Sequence, residues 1–145
     1  MREVVRILFA CVGNSCRSQM AEAFCRVLGP EVDCVSAGSK PAESVSPHAI
    51  EVMKEIGIDI SAMHPKGFRD VPGPGYDYMV AMGCTVTCPM VPGAKEIRWD
   101  VPDPYGKGIE EYRRVRDIIR SEVTGLLGQF GLLAVGQPDN HQPLA

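Results

Sequence analysis

The sequence lacks three features that would each point to a class of function: a basic surplus, a long apolar run and an internal repeat. Its 145 residues carry a formal net charge of −3, which argues against nucleic acid or a membrane surface as partner. The apolar run near the start, residues 7–12, is too short for a membrane span or a signal peptide. We therefore expect a cytoplasmic protein.

The composition otherwise fits one ordinary globular domain. Apolar residues make up 45% of the chain and charged residues 23%, and this length is enough to bury a core. We expect residues 1–128 to form the domain. Residues 129–145 have no hydrophobic period, so we expect a mobile C-terminal tail there.

Apolar runs and helical periods alternate along the chain. The runs predict strands at residues 4–10, 32–37, 76–82 and 95–99, and the periods predict helices at 20–28, 47–56 and 109–126. This alternation predicts an α/β three-layer sandwich, with helices on both faces of a parallel sheet. Ligands of such sheets bind beyond the carboxyl ends of the strands. That edge carries Cys11, Cys84 and Asp103.

The most informative stretch, residues 11–18, joins the first strand to the first helix. A polar loop entering a helix brings backbone N–H groups and the positive end of the helix dipole together, which predicts an oxyanion cradle. Cys11 stands at its mouth, and Arg17 favours the thiolate and can hold two oxygens of a tetrahedral anion. Gly13 permits close approach of the backbone, and the Ser18 hydroxyl can donate to the sulfur. The candidate oxyanion-binding residues are Val12, Gly13, Asn14, Ser15, Cys16, Arg17 and Ser18.

The six cysteines indicate catalytic, redox-active or metal-binding thiols rather than a disulfide framework, given the expected cytoplasmic location. Cys25 and Cys34 lie in apolar surroundings, and we interpret both as packing residues. Cys84 and Cys88 are four residues apart, so they could face each other across one helical turn and relay a disulfide.

A zinc site is the structural alternative for four of these thiols, Cys11, Cys16, Cys84 and Cys88. The spacing of the second pair suits zinc, but the first pair lies in a loop built for anions and the three histidines are scattered. We therefore predict no metal. Asp103 lies between two prolines that hold it in an extended, restrained loop, and an ordinary Asp-Pro turn is the structural alternative.

Residues 11–24, CVGNSCRSQMAEAF, closely resemble the phosphate-binding loop shared by low-molecular-weight protein tyrosine phosphatases and thioredoxin-coupled arsenate reductases. The resemblance covers residues 5–127 and implies four parallel strands in a flavodoxin-like order. Cys16 resembles the reductase branch. Cys88-Pro89 resembles the end of that branch's redox helix, and Asp103-Pro104 resembles the family's general acid. The catalytic residues that the resemblance implies are Cys11, Arg17, Cys84, Cys88 and Asp103.

The resemblance implies reduction of arsenate to arsenite through the Cys11 thiolate and an intramolecular disulfide relay, without a cofactor. Phosphate and sulfate are the expected competitors, and a thioredoxin-like partner is the expected reductant. The sequence does not choose among thioredoxin, glutaredoxin and mycothiol. A phosphatase acting on phosphate monoesters is the alternative enzyme. A non-catalytic zinc or thiol-sensing protein is the alternative from another class.

A potassium site is a further property of some reductases. Asn14, Glu22 and Ser36 match positions of that site, but Lys66 stands where those proteins have an acidic ligand. Because a lysine replaces the charge of the ion, we do not predict a bound potassium.

Overall fold

A computed structural model describes residues 4–71, 75–83 and 93–134. Four strands form one sheet: β1 (Arg6–Cys11), β2 (Asp33–Gly38), β3 (Tyr78–Met82) and β4 (Lys95–Trp99). The strand order is β2-β1-β3-β4, and every pairing is parallel. The predicted α/β fold with a four-stranded parallel sheet in flavodoxin-like order is therefore confirmed.

The described residues contain three α-helices that share one core with the sheet: α1 (Arg17–Leu28), α2 (Pro47–Lys54), which packs against α3, and α3 (Ile109–Gln129). Side chains alternate across β1, so Ile7 and Phe9 join the core that all three helices line. Leu8 points to the other face, into a smaller cluster with Phe68 of a 3₁₀ helix, Phe68–Asp70. In the part of the chain that the structure describes, no helix is long and apolar enough to cross a membrane.

The periodic apolar positions that predict α3 lie on the face of this helix that packs in the core. The positions concerned are Tyr112, Val115, Ile119, Val123 and Leu126, which are buried, and Ile109, which is half-buried. They pack in the same core as α1 and the helix-facing side of the sheet. Helical stability at this length comes mainly from such a buried stripe.

The first helix begins earlier than its hydrophobic period predicts. The Met20 N–H donates to Cys16 O at 2.9 Å, so Cys16 caps the helix and Arg17 is its first residue. β1 also extends one residue further than predicted, to Cys11. Only five residues therefore separate the end of the central strand from a rigid helix, and the loop between them has little freedom.

Cys25 of α1 and Cys34 of β2 form a disulfide, which corrects their interpretation as packing residues. Both side chains are buried in the main core, so the packing itself is as expected. The bond arises because α1 packs back across β2, the strand that follows it. Two cysteines nine residues apart in apolar segments form no sequence pattern that predicts this contact.

We expect peptide mapping without reductant to join Cys25 to Cys34. Trypsin cleaves after Arg17, Arg26 and Lys54 but not between Lys40 and Pro41, so the bond links fragment 18–26 to fragment 27–54. Reduction should separate the fragments and lower the free energy of unfolding by about 2–4 kcal/mol, because it frees a short closed loop. A Cys34→Ala variant is the control, since it should show neither the linked fragments nor the effect of reductant.

The predicted tail starts at Gln129, which is the last residue of α3 in the structure. Leu132 and Leu133 pack against the main core, and the Ala134 N–H donates to Leu28 O at 2.8 Å. These contacts place residues 130–134 on the body of the domain. Residues 135–145 lie outside the described residues, so a mobile tail stays a prediction for them.

Candidate active site

The thiol of Cys11 lies at the carboxyl edge of the sheet, held by a chain of two hydrogen bonds. Its Sγ is 2.9 Å from Ser18 Oγ, and Asn14 Nδ2 donates to the same hydroxyl at 2.7 Å. Because Ser18 accepts from Asn14, its own proton is left for the sulfur. A hydroxyl that donates to sulfur stabilises a thiolate more than a thiol, since the charged atom is the stronger acceptor.

Asn14 fixes the turn of the loop from behind. It is fully buried and has a positive φ of 50°, a backbone conformation that asparagine tolerates better than most residues. Its Oδ1 accepts from Gln19 Nε2 at 3.0 Å and from the Lys66 N–H at 2.8 Å. Gln19 Nε2 also reaches His64 O at 2.9 Å. The loop conformation therefore depends on a network that extends to residues 64–66.

The segment that follows β2 holds the other side of the loop. N–H groups of Lys40, Ala42 and Ser46 donate to the carbonyl oxygens of Val12, Gly13 and Ser15, at 2.8, 2.9 and 2.8 Å respectively. These bonds tie three carbonyl oxygens of the loop to that segment. Gly38, the last residue of β2, lies so close that a Cβ would approach Val12 O to 2.6 Å. Hydrogen bonds from residues 40–46 and the close approach of Gly38 therefore restrain the loop on this side.

Arg17 turns its guanidinium toward the loop that follows β4. Nη1 donates to Val101 O at 3.1 Å, and Nη2 lies 3.6 Å from Asp103 Oδ2. Only 7% of the Arg17 side chain is exposed, whereas 55% of the Asp103 side chain is. The Tyr105 N–H donates to Asp103 Oδ1 at 3.0 Å and holds the carboxylate in a turn.

These groups surround a cavity of about 320 Å³. Its lining consists of Cys11, Val12, Gly13, Ser15, Cys16, Arg17, Ala42, Asp103, Tyr105 and Tyr112. Of the predicted oxyanion-binding residues, Asn14 and Ser18 are fully buried behind this wall. A larger groove of about 460 Å³ lies between β4 and α3, but its described lining holds no cysteine. The chemistry therefore points to the smaller cavity.

Cys16 lines the same cavity but differs chemically from Cys11. Burial raises the pKa of the Cys16 thiol well above its usual range, and the nearby Cys11 adds to the rise. Arg17 lowers this pKa and Asp103 raises it, but both effects are smaller than that of burial. Cys16 is therefore a neutral thiol at neutral pH and a poor nucleophile.

We expect iodoacetamide at pH 7 to modify Cys11 and to leave Cys16 unmodified in the folded protein. The raised pKa keeps Cys16 protonated across the neutral range, and only the thiolate is alkylated. Both cysteines lie in tryptic fragment 7–17, so tandem mass spectrometry must assign the label within it. The unfolded protein is the control, where both should react. Equal labelling of the two in the folded protein would contradict the assignment.

The polar cluster behind the loop does not suit a potassium ion. Glu22 is 2% exposed, and its Oε1 accepts from Ser36 Oγ at 2.5 Å. Lys66 Nζ lies 3.6 Å from the same oxygen and 3.5 Å from Ser36 Oγ. The ammonium group thus already lies beside the oxygens that would bind the ion. The Lys66 ammonium therefore supplies at this position the positive charge that a potassium ion would bring.

The predicted relay cysteines, Cys84 and Cys88, lie outside the described residues, as does half of the alternative zinc site. Within residues 4–71, 75–83 and 93–134, no three His, Cys, Asp or Glu side chains come together as metal ligands. The structure thus brings Cys11, Arg17 and Asp103 to one cavity.

Sequence reasoning missed three contributors to the site. Gln19 is a buried polar residue in the first turn of α1, directly after the loop. Tyr112 is part of the core period of α3, so its place in the cavity wall had no separate signal. Gly83 contacts the Arg17 region from a distant part of the sequence, and a lone glycine there has no pattern to mark it.

The sequence model of the low molecular weight phosphotyrosine protein phosphatase family matches residues 6–134. The chain belongs to this family. Its 35% identity to a glutaredoxin arsenate reductase of Synechocystis sp. extends over 128 residues, 86% of this chain and 98% of that protein. Arsenate reductase 2 of Staphylococcus haemolyticus is 42% identical over 122 residues, 81% of this chain and 92% of that protein.

Solved structures give the same relationship within the family. An arsenate reductase in a phosphate-binding state superposes with a TM-score of 0.77 at 30% identity, over 87% of this chain and 98% of that one. Both the family's fold and nearly its full length are therefore present in this chain.

Proposed function

We propose that this protein is an arsenate reductase that works through the Cys11 thiolate and an intramolecular disulfide relay. The observation that carries the proposal is the Cys11 thiol in a cavity lined by its loop, with Arg17 and Asp103 on the same wall. The chain also aligns over more than four fifths of its length with proteins named arsenate reductases. The cavity suits a tetrahedral oxyanion, because a guanidinium and a helix N-terminus face it together.

The first step is attack of the Cys11 thiolate on arsenic. Arg17 holds two oxygens of arsenate, and Ser18 keeps the sulfur in its reactive form through the 2.9 Å contact. Asp103 supplies the proton with which the departing hydroxide leaves as water. The product is a covalent bond between Cys11 Sγ and arsenic(V).

The second step transfers two electrons to arsenic. Cys84 attacks Cys11 Sγ, a sulfur–sulfur bond forms, and the sulfur–arsenic bond breaks with its electron pair on arsenic, which leaves as arsenite. Cys88 then attacks Cys84 and releases the Cys11 thiolate. The resulting Cys84–Cys88 disulfide accepts two electrons from a thioredoxin-like protein, which a reducing cytoplasm keeps supplied.

The family's phosphatase chemistry is the second candidate function. It needs Cys11, Arg17 and Asp103, with water ending the phosphocysteine, and Tyr105 and Tyr112 in the wall suit an aromatic ester. In that case Cys84 and Cys88 are not needed. The presence of both in the sequence favours the reductase.

One paired assay separates the two functions. Arsenate-dependent oxidation of a coupled thioredoxin or glutaredoxin system is measured beside hydrolysis of p-nitrophenyl phosphate by the same preparation. A reductase oxidises the coupled donor in proportion to arsenate. Ester hydrolysis without arsenate-dependent oxidation by either donor would contradict the proposal and favour the phosphatase.

A further inference from the structure

Gly83, which directly follows β3, lies against the guanidinium of Arg17. Its φ is positive, at 78°, and a Cβ built on it would overlap Arg17 Nη1 and lie 3.2 Å from Arg17 Cζ. Glycine meets two independent requirements here, because it adopts this φ without strain and leaves the space empty. The two residues are far apart in sequence, so only the fold brings them together.

The guanidinium has little room to give way to a larger residue. Its Nη1 is bound to Val101 O at 3.1 Å, its Nη2 lies 3.6 Å from Asp103, and the side chain is 7% exposed. Gly83 and this β4–α3 loop therefore both border the same planar group. A methyl group at position 83 would force the fork away from the geometry in which it borders the cavity.

We infer that Gly83 is a positioning residue for oxyanion binding: its missing side chain leaves the space that Arg17 needs to face the cavity. The inference rests on the proposed function in taking this cavity as the oxyanion site. The overlap involves the end of a flexible side chain rather than backbone atoms. A methyl group at position 83 is therefore expected to move Arg17 and to leave the sheet intact.

The test measures phosphate binding in Gly83→Ala. Inorganic phosphate bound in the cavity protects Cys11 from iodoacetamide, and the concentration dependence of protection gives a Kd. This measurement follows label on Cys11 alone, so the position of Cys84, the next residue in the chain, does not enter. We expect the variant to bind phosphate about 10- to 100-fold more weakly, as for loss of a charge-assisted hydrogen-bonding pair.

Gly131→Ala is the matched control. Gly131 also has a positive φ, at 69°, but nothing lies within 4 Å of a Cβ built on it. The two variants therefore share the backbone strain and differ in the contact with Arg17. Gly131→Ala should lower the thermal midpoint and leave the Kd for phosphate unchanged. Equal weakening of phosphate binding in the two variants would overturn the inference.

Introducing Gly83→Ala into an Arg17→Lys variant tests whether Gly83 acts through the Arg17 guanidinium. Arg17→Lys removes both terminal nitrogens, so a methyl group at position 83 has much less to displace. Adding Gly83→Ala to Arg17→Lys should therefore change the Kd by less than about threefold. The same 10- to 100-fold loss in both backgrounds would show that Gly83 acts through something other than Arg17.

Folding of Gly83→Ala is compared with folding of the double variant. If Gly83→Ala is unfolded and the double variant is folded, the overlap with the guanidinium is the cause and the inference holds. If both are unfolded, the inference is overturned. Failure of phosphate to protect wild-type Cys11 would instead overturn the proposed function and the inference with it, whereas equal protection of wild type and Gly83→Ala overturns the inference alone.

Discussion

We expect Cys84→Ser to abolish arsenate reduction while leaving hydrolysis of p-nitrophenyl phosphate largely unchanged. Reduction of arsenate needs a second thiol that takes over the Cys11 sulfur, and serine cannot form that disulfide. Ester hydrolysis needs only Cys11, Arg17 and Asp103, which the structure brings to one cavity. The two activities of one preparation therefore serve as internal controls for each other.

Cys88→Ser should behave differently, because it lacks only the thiol that resolves the first disulfide. It can release one arsenite per protein and then stall, and mass spectrometry of the stalled protein should find Cys11 joined to Cys84. Wild-type protein oxidised by arsenate without a reductant should instead show Cys84 joined to Cys88. A single turnover from Cys84→Ser and none from Cys88→Ser would reverse the two roles.

Wild-type rates in both variants, with a thioredoxin or glutaredoxin donor, would contradict the relay altogether. The buried Cys25–Cys34 disulfide makes the mapping more demanding, since it contributes a linked pair that arsenate does not create. Protein treated identically without arsenate provides the required baseline. Only disulfides that appear on addition of arsenate count as products of the relay.

The loop between β1 and α1 could be predicted because the sequence signal for it is local. A strand, a short polar loop and a helix start follow one another within residues 6–17, and these elements place Cys11 at the end of the strand and Arg17 at the start of the helix. The strand order followed from the family resemblance. The α/β class followed from the alternation of apolar runs and helical periods.

Contacts between distant segments could not be predicted in the same way. Lys66 binds Asn14 through its backbone N–H, which no side-chain pattern records. Gly83 borders Arg17 because β3 ends beside β1 in the sheet. A Cβ at position 83 would overlap the Arg17 guanidinium, and no sequence pattern records such an overlap. Cys25 and Cys34 likewise meet only after α1 has packed on β2.

The carboxylate that we propose as general acid is distinguished from its neighbour by geometry. Asp103 lines the cavity and its Oδ2 lies 3.6 Å from Arg17 Nη2, whereas Asp100 is exposed and absent from the described lining. The two aspartates are three residues apart in the same loop, so Asp100→Asn is a matched control for Asp103→Asn. Both substitutions remove one negative charge from that loop and preserve the size of the side chain.

We expect Asp103→Asn to slow the first chemical step by about 100- to 10,000-fold, the range typical of a lost general acid. An asparagine cannot supply the proton with which hydroxide or an alcohol leaves, so arsenate reduction and ester hydrolysis should both slow. Asp100→Asn should change either rate by less than about threefold, as expected of an exposed site. Rapid-mixing measurements of the first turnover separate this step from the later thiol exchange.

The nature of the leaving group provides a sharper version of the same experiment. A phenolate with strongly electron-withdrawing substituents leaves without a proton, so its ester should be hydrolysed by Asp103→Asn with a smaller loss than an ester of a more basic alcohol. A role for Asp103 limited to holding Arg17 predicts the same loss for both esters, together with weaker phosphate binding. Equal losses in Asp100→Asn and Asp103→Asn would contradict the assignment of the acid, because only Asp103 reaches the cavity.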